Sequence, residues 1–225
     1  KSASGLGVPL VAIGLFYDQG YFKQLIDETG GQAENYVDTK VEYLPFEPAL
    51  DADGNKIIVE VETKTGTIYA KVRRLRVGRV DLYLLDTDLE ANSQEDRELT
   101  SRLYGGNKRT RIRQEIVCGV GGVKALRALG ISPGVYHLNE GHNSFATLEA
   151  VRQKMEDCGM TFEAAVADVA QQTVFTTHTP VEAGHDYFDP ALVDEHLAPL
   201  REKLGLTEQE FLALGRKNPL DENEE

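Results

Sequence analysis

The sequence predicts an α/β fold, and three observations support that prediction. A nearly continuous apolar run covers residues 8–17, which is typical of a strand inside a sheet. Stretches of alternating polar and apolar residues between 41 and 88 favour β-hairpins. The order strand, helix, strand between 135 and 177 implies a parallel crossover, which places helices against a sheet.

Composition and charge limit the possible partners. The chain has 225 residues, 41% of them hydrophobic, so it can bury a sizeable core. Its 24 Lys and Arg against 37 Asp and Glu give a net charge of −13, which argues against nucleic acid or anionic lipid as a partner. Two isolated cysteines do not make a disulfide scaffold, and the apolar run at 8–17 is too short to span a bilayer. We expect a cytoplasmic protein with a small-molecule partner and no membrane contact.

The first half of the chain is predicted to consist mainly of strands. Residues 8–17 hold almost no polar side chain, so we expect a strand that is buried on both faces. Residues 20–28 are predicted to form a short helix. The alternating stretches that follow are broken at Lys64-Thr65-Gly66 and at Gly78-Arg79, which indicates hairpins within a β-rich insertion over about 38–90.

The second half is predicted to be mainly helical. Apolar residues recur at three- and four-residue spacing over 110–129, which predicts an amphipathic helix. Its three glycines lower the helix propensity but allow another backbone to approach closely. Further along, a strand, two helices and a strand are expected at 135–138, 145–157, 161–170 and 173–177. Helices follow from Pro190 onward and over 207–215, and residues 221–225 form an acidic tail.

Polar side chains cluster where the two predicted parallel strands end. Ligands bind at the carboxyl ends of parallel strands, where the loops converge. A histidine at a strand end commonly makes only a structural hydrogen bond, so no single histidine indicates a site, but the pair His142 and His178 favours one. The first loop offers Asn139, Glu140 and His142, and the second offers Thr177, His178 and Thr179, followed by Glu182, His185 and Asp186.

A basic segment lies between Glu98 and Glu115, where no acid occurs. Its members are Arg102, Lys108, Arg109, Arg111 and Arg113. In a chain with an excess of acids, such a segment favours an anionic ligand, because guanidinium groups bind phosphate and carboxylate well. Arginines spaced by two on a helix point in different directions, so we expect only a subset, Lys108 with Arg111, to converge.

Four segments of the sequence resemble the α-glucan (glycogen/maltodextrin) phosphorylases, in particular the shorter bacterial and archaeal kind. They are GLGVPLVAIGLFYDQGYFKQ, RLYGGNKRTRIRQEIVCGVGGVKALRALG, VYHLNEGHNSF and VFTTHTPVEAGHD, in this order along nearly the whole chain. The family cleaves a terminal α-1,4-linked glucose with inorganic phosphate and releases glucose 1-phosphate. The resemblance implies that residues 1–220 form a partial amino-terminal, Rossmann-like lobe of a two-lobed (GT-B type) glycosyltransferase.

The resemblance also implies roles for individual residues. By position, His178 in TTHTP is similar to the family histidine that contacts the glucosyl unit through its ring and its backbone carbonyl. A carbonyl there would stabilise the positive charge that develops on the sugar. The loop from Asn139 to His142 resembles the family's Asn-Asp-Thr-His loop in the same cleft, although Glu140 and Gly141 replace Asp and Thr.

Two basic residues complete the implied site. Lys108 and Arg111 match the segment that borders the entrance, where phosphate approaches. The implied catalytic residues are therefore His142 and His178, and the implied substrate-binding residues are Asn139, Glu140, Thr177, Lys108 and Arg111; no metal is implied.

The family uses pyridoxal 5′-phosphate, whose phosphate group takes part in proton transfer, and attaches it to a lysine of the carboxyl-terminal lobe. No lysine of this sequence matches that lysine. Because the chain also begins on Lys1 rather than Met, we expect a fragment that has no phosphorolysis activity alone. Its implied partners are an α-1,4-glucan, inorganic phosphate, a carboxyl-terminal lobe and a second copy in a homodimer.

Two other functions are compatible with the composition. A metal-dependent hydrolase would use His142, His178, His185, Glu140 or Asp186 as ligands, although no tight ligand pair lies on one element. A carbohydrate-binding module would use the nine tyrosines and eight phenylalanines as stacking surfaces, although the chain has no tryptophan.

Overall fold

A mixed β-sheet of five strands organises the first half of the molecule, in a computed structural model that describes residues 1–39, 41–103, 105–181 and 186–221. After the short helix α1 (Ser2–Leu6), the strands of this half are β1 (Val11–Leu15), β2 (Lys23–Ile26), β3 (Gln32–Asn35), β4 (Phe46–Pro48), β5 (Ile58–Thr63), β6 (Gly66–Val77) and β7 (Val80–Asp86).

The long strand β6 is the centre of this sheet. Its first half pairs with β5 and its second half with β4 along one edge, and β7 runs antiparallel along its other edge. Two-residue loops at Lys64-Thr65 and Gly78-Arg79 connect β5 to β6 and β6 to β7. The predicted hairpins of 41–88 are therefore confirmed. Strand β1 is added parallel to β7, with Val11 opposite Asp81 and Leu15 opposite Leu85.

The prediction that residues 8–17 are buried on both faces is wrong. Strand β1 covers only Val11–Leu15, and its residues are half-buried or exposed. Among the described residues its one pairing partner is β7, so β1 lies at an edge of the sheet. An apolar run does not distinguish an edge strand from a central one, because the side chains are the same in both positions.

The helix predicted at 20–28 is also wrong, because this segment forms a separate hairpin of β2 and β3. The turn between these strands explains the difference. The Asp27 carboxylate accepts hydrogen bonds from the backbone N–H groups of Thr29 and Gly31, at 2.9 and 2.8 Å, and Gly30 has a positive φ of 86°. Such local bonds favour a turn over a continued helix.

A long, interrupted helix packs on the sheet. It begins with α3 (Lys108–Ile116), passes through a wider π-helical turn at Val117–Gly121 and continues as α4 (Gly122–Ala128). A Cβ atom added at Gly121 would lie 2.9 Å from Leu85 Cδ2, and one added at Gly122 would lie 2.9 Å from Ile13 Cγ2. The predicted helix and its close packing through glycine are confirmed. Before it comes the one-turn helix α2 (Gln94–Arg97), capped by Ser93.

The parallel crossover predicted in the second half is confirmed. Strand β8 (Tyr136–Asn139) is followed by α5 (Phe145–Cys158), α6 (Phe162–Gln171) and the parallel strand β9 (Thr173–Thr176). Helix α6 is capped by Thr161, the first residue of the predicted span, whose side chain accepts from Ala164 N–H. The chain ends in α7 (Pro190–Lys203) and α8 (Glu208–Ala213), as the pattern predicts.

The buried core joins the two halves. Apolar residues of β5, β6 and β7 pack against the π-helical turn, and β5 also packs against α7, with Leu85, Ile112 and Leu197 almost fully buried. None of the helices in the described ranges combines the length and apolar character needed to cross a membrane. Residues 222–225 of the predicted acidic tail, as well as Glu182 and His185, lie outside the described residues.

Candidate active site

The carboxyl ends of β8 and β9 bring the two predicted loops together. In the parallel register Asn139 is opposite Thr176, so the residues that follow each strand emerge side by side. The backbone N–H of Glu140 donates to the carbonyl of Thr176 at 2.9 Å and extends this pairing by one residue. The polar residues singled out from the sequence therefore leave the sheet at one place.

The side chain of His178 is fixed by the loop after β8. Its Nε2 atom lies 2.7 Å from Asn139 Oδ1. Because an amide oxygen only accepts hydrogen bonds, Nε2 carries the proton in this arrangement. The ring edge with Nδ1 remains available to a ligand as an acceptor when the histidine is neutral.

The Glu140 carboxylate binds the loop after β9. It accepts hydrogen bonds from the backbone N–H of His178 and from the hydroxyl groups of Thr177 and Thr179, both at 3.2 Å. Glu140 is only 7% exposed. The N–H of His178, followed by the two hydroxyl groups, lowers the pKa of the Glu140 carboxyl, so it is ionised at neutral pH.

A second group of side chains surrounds His142. The guanidinium Nη2 atom of Arg111 lies 2.9 Å from Asp186 Oδ2 and 3.1 Å from His142 Nδ1. Since a guanidinium only donates, His142 Nδ1 is the acceptor and the ring carries its proton on Nε2. Glu115 Oε1 lies 3.8 Å from both Arg111 Nη2 and His142 Nδ1. We call these four residues the Arg111 cluster.

Burial changes the charge of this cluster. Glu115 is 5% exposed, and burial, together with the nearby Asp186 carboxylate, raises its pKa to about 8. Burial is the largest single influence on Asp186 and acts in the same direction, but the hydrogen bonds from Arg111 and Glu115 and the nearby positive charge together outweigh it, so the pKa of Asp186 is lowered. At neutral pH the cluster therefore combines one guanidinium, one carboxylate, one neutral carboxyl group and one imidazole.

A pocket of about 660 Å³ opens beside the Arg111 cluster. Glu115, His142 and Asp186 form part of its lining. Aromatic and aliphatic side chains of α5, α7, α8 and the segment before α7 form much of the rest, among them Phe145, Leu148, Phe188, Val193 and Phe211. A polar group beside apolar and aromatic walls is a common composition of small-molecule sites.

The basic segment is mostly paired with acids from other elements. Arg109 binds Glu195, with Nη2 and Oε1 2.7 Å apart, and Arg113 binds Glu95 at 2.6 Å. Arg102 lies over the ring of Tyr36, 3.4 Å from its centroid. The sequence pattern missed these partners because they come from distant parts of the chain.

The prediction that the side chains of Lys108 and Arg111 converge is wrong. Arg111 belongs to its cluster, whereas Lys108 is exposed on the first turn of α3 and, in the described ranges, neither joins that cluster nor lines the pocket. The two candidate histidines also have different neighbours, since His178 bonds Asn139 and His142 bonds Arg111. The chain segment 139–142 connects the two groups.

Comparison with known proteins bears directly on these loops. No family model matches the chain. It is 47% identical over 217 residues, 96% of its length, to a protein named maltodextrin phosphorylase from Thermococcus litoralis. It is 43% identical over 203 residues to a glycogen phosphorylase of Mycobacterium tuberculosis and 35% identical over 224 residues to one of Aquifex aeolicus.

The chain is homologous to a segment of the α-glucan phosphorylases. The resemblance seen in the four sequence segments is thereby confirmed. The chain spans 26%, 24% and 32% of the lengths of these three relatives, while 96%, 88% and 100% of the chain itself is matched.

One residue of this site, Glu115, was missed from the sequence, and the role of Thr179 was not predicted. Glu115 follows Arg111 by four positions on α3, so the two share one helix face, and this spacing could have indicated the pair. Thr179 was noted as part of the second loop, but its bond to Glu140 depends on strand register, which the sequence alone does not specify.

The ligand set proposed for a metal-dependent hydrolase is not assembled as predicted. Glu115, His142 and Asp186 offer ligand atoms within 4.8 Å of one another, but Arg111 already supplies positive charge to this group. His178 and Glu140 bond to each other's loops instead, and His185 lies outside the described residues.

Pyridoxal phosphate does not fit the described site. The polar wall of the pocket contains the Asp186 carboxylate, which disfavours a phosphate group, and the Arg111 cluster has no lysine for a Schiff base. One lysine, Lys217, lines the pocket, in the segment after α8. We therefore derive no step through this cofactor from the residues of this chain.

Proposed function

We propose that this chain is part of an α-1,4-glucan phosphorylase, which transfers a terminal glucosyl unit to inorganic phosphate and gives glucose 1-phosphate. In this reaction the bond from C1 to the leaving glucan oxygen breaks, a bond from C1 to a phosphate oxygen forms, and a proton goes to the leaving oxygen. The observation that supports the proposal most is the meeting of the Asn139 and His178 loops in a chain that is 47% identical to a maltodextrin phosphorylase.

In this proposal each residue of the site has its own role. Asn139 holds the His178 ring, and the ring and backbone carbonyl of His178 contact the glucosyl unit. A carbonyl dipole at that position stabilises the partial positive charge of an oxocarbenium-like transition state. Thr177 and Glu140 shape the same loop, and His142 lines the neighbouring pocket, where a glucan hydroxyl group could accept its Nε2 proton.

Arg111 and Lys108 have different parts in the proposal. Arg111 orients His142 and Asp186 and is largely neutralised by acids, so it is a weak receptor for phosphate. Lys108 is exposed and remains the basic residue proposed for the approach of phosphate. The proposed parent has the two-lobed GT-B architecture, with pyridoxal phosphate bound by a carboxyl-terminal lobe, acts in the cytoplasm and forms a homodimer.

The test uses the intact protein that carries this chain. Incubation with maltodextrin and inorganic phosphate should yield glucose 1-phosphate, measured directly by anion-exchange chromatography, and omission of phosphate should abolish product. A chelator should leave the rate unchanged. Phosphate-independent release of sugar that a chelator stops would instead support the metal-dependent hydrolase, and absence of any turnover of α-glucans would contradict the proposal.

A further inference from the structure

Glu140 has a backbone conformation that its residue type strongly disfavours. Its φ of 61° and ψ of −176° fall in a region that is populated almost only by glycine. Among the described residues it is the one non-glycine residue with positive φ. Such a conformation costs on the order of 1–3 kcal/mol and persists only where the surroundings hold it. The strain lies directly between Asn139 and the pocket-lining His142.

The contacts of the Glu140 side chain show what holds this conformation. Its carboxylate receives hydrogen bonds from three consecutive residues of the loop after β9, through the hydroxyls of Thr177 and Thr179 and the N–H of His178. The N–H of Thr179 also faces the carboxylate. Hydrogen bonds to an ionised acceptor are roughly twice as strong as neutral ones, so this anion fixes the loop.

The hydrogen bond from the His178 N–H fixes the peptide that leads into His178. The hydroxyls of Thr177 and Thr179 bind the same carboxylate on either side of that residue. One side chain therefore fixes the loop at His178 and at both of its neighbours.

We propose that Glu140 is a positioning residue, whose carboxylate holds the loop from Thr177 to Thr179 and so places His178 at the reacting sugar, instead of binding the sugar itself. This inference rests on the proposed phosphorylase function for its consequence, but the hydrogen bonds that define it do not. The acceptor sites of the carboxylate are taken by the loop, which removes Glu140 from direct contact with a substrate hydroxyl.

The test compares Glu140→Gln and Glu140→Asp with wild type in the intact protein. Glutamine keeps the shape but replaces one acceptor oxygen by an NH₂ group, which repels the N–H and O–H donors of the loop. We expect kcat to fall about 100-fold while KM for maltodextrin changes less than about threefold, because a displaced His178 affects the transition state more than substrate binding. Aspartate keeps the charge on a shorter side chain. The kcat of Glu140→Asp should therefore be at least about tenfold higher than that of Glu140→Gln.

Hydrogen exchange measured by mass spectrometry gives a readout that does not depend on catalysis. Peptides that contain residues 177–179 should exchange faster in Glu140→Gln than in wild type. Glu163→Gln, an exposed carboxylate on α6, is the control and should change neither kcat nor exchange. If Glu140→Gln does not fold, Glu140→Asp decides the question through the same two readouts.

The outcomes separate this inference from the proposed function. A raised KM with unchanged kcat would make Glu140 a substrate-binding residue and overturn the inference. Unchanged exchange at 177–179 would overturn it as well. If wild type has no phosphorolysis activity, the proposed function fails, while the exchange result still decides whether Glu140 holds the loop.

Discussion

Glu115 is a carboxyl group whose charge depends on folding. Its pKa is raised to about 8 in the folded protein by burial and by Asp186, from 4.5 for an exposed glutamate. The folded state therefore holds a proton that the unfolded state releases between these two values. The contribution of Glu115 to the free energy of unfolding is fully present below about pH 4.5. It is lost as the pH rises towards 8, by at most about 1.4 kcal/mol per pH unit.

We predict that Glu115→Gln flattens this pH dependence. Glutamine is neutral at every pH and similar in shape, so the variant should lose less thermal stability than wild type between pH 5 and pH 8. Thermal unfolding of the intact protein, followed at several pH values, measures the difference. Glu163→Gln is the control and should follow wild type. Equal slopes for Glu115→Gln and wild type would mean that Glu115 is ionised throughout this range.

Single residues of the site were predictable to different degrees. The residue types at the strand ends and the resemblance together indicated Asn139, His142 and His178, because strand ends of a parallel pair must converge. The hydrogen bonds of Glu140 were not predictable, since they depend on register and on a backbone conformation that is rare for glutamate. The acidic partners of the basic segment could likewise not be predicted, because they lie far from it in the sequence.

At the scale of elements, the contact between the π-helical turn and α5 sets the position of the His142 loop. A Cβ atom added at Gly119 would lie 2.7 Å from the backbone N of Ala146 and 3.0 Å from the carbonyl carbon of Phe145. These are backbone atoms at the start of α5, which directly follows the loop that carries His142. A larger residue at Gly119 must therefore move α5.

We predict that Gly119→Ala destabilises the protein by about 1–2 kcal/mol. Alanine gains up to about 1 kcal/mol in helix propensity, but overpacking against a backbone costs about 1–3 kcal/mol and should outweigh that gain. Urea unfolding of the intact protein measures the change. Gly134→Ala is the control, because a Cβ there meets no atom within 4 Å. A stabilised Gly119→Ala would show that α5 has room to shift without cost.

The elements differ in how much of them the sequence could predict. The hairpins of β5 to β7 and the helices α5 to α8 follow period-2 and period-3.6 patterns and their caps, so they were predicted correctly. Residues 20–28, which contain β2, were predicted as a helix because this segment contains several good helix formers. The decisive signal was Asp27 followed by Gly30 and Gly31, which favours a turn.

At the scale of the molecule, the crossover between β8 and β9 carries the candidate site, while the β-rich half supports the helix that presents Arg111. The core is continuous between the two halves, because the sheet packs on the π-helical turn and on α7, and that turn packs on α5. The position of Arg111 beside His142 thus depends on packing across the whole described chain. The hydrophobic pattern of the sequence predicts each element, but it does not predict how distant segments pack against each other.

The most direct test of the account compares His178 with His137 in the intact protein. Both histidines lie at the β8 and β9 strands and each makes one short side-chain hydrogen bond, His178 to Asn139 at 2.7 Å and His137 to Thr176 at 2.6 Å. We predict that His178→Ala lowers kcat/KM for phosphorolysis of maltodextrin by at least about 100-fold, and that His137→Ala changes it less than about threefold. Equal effects of the two substitutions, or an unaffected His178→Ala enzyme, would contradict the assignment of the strand-end loops as the glucosyl site.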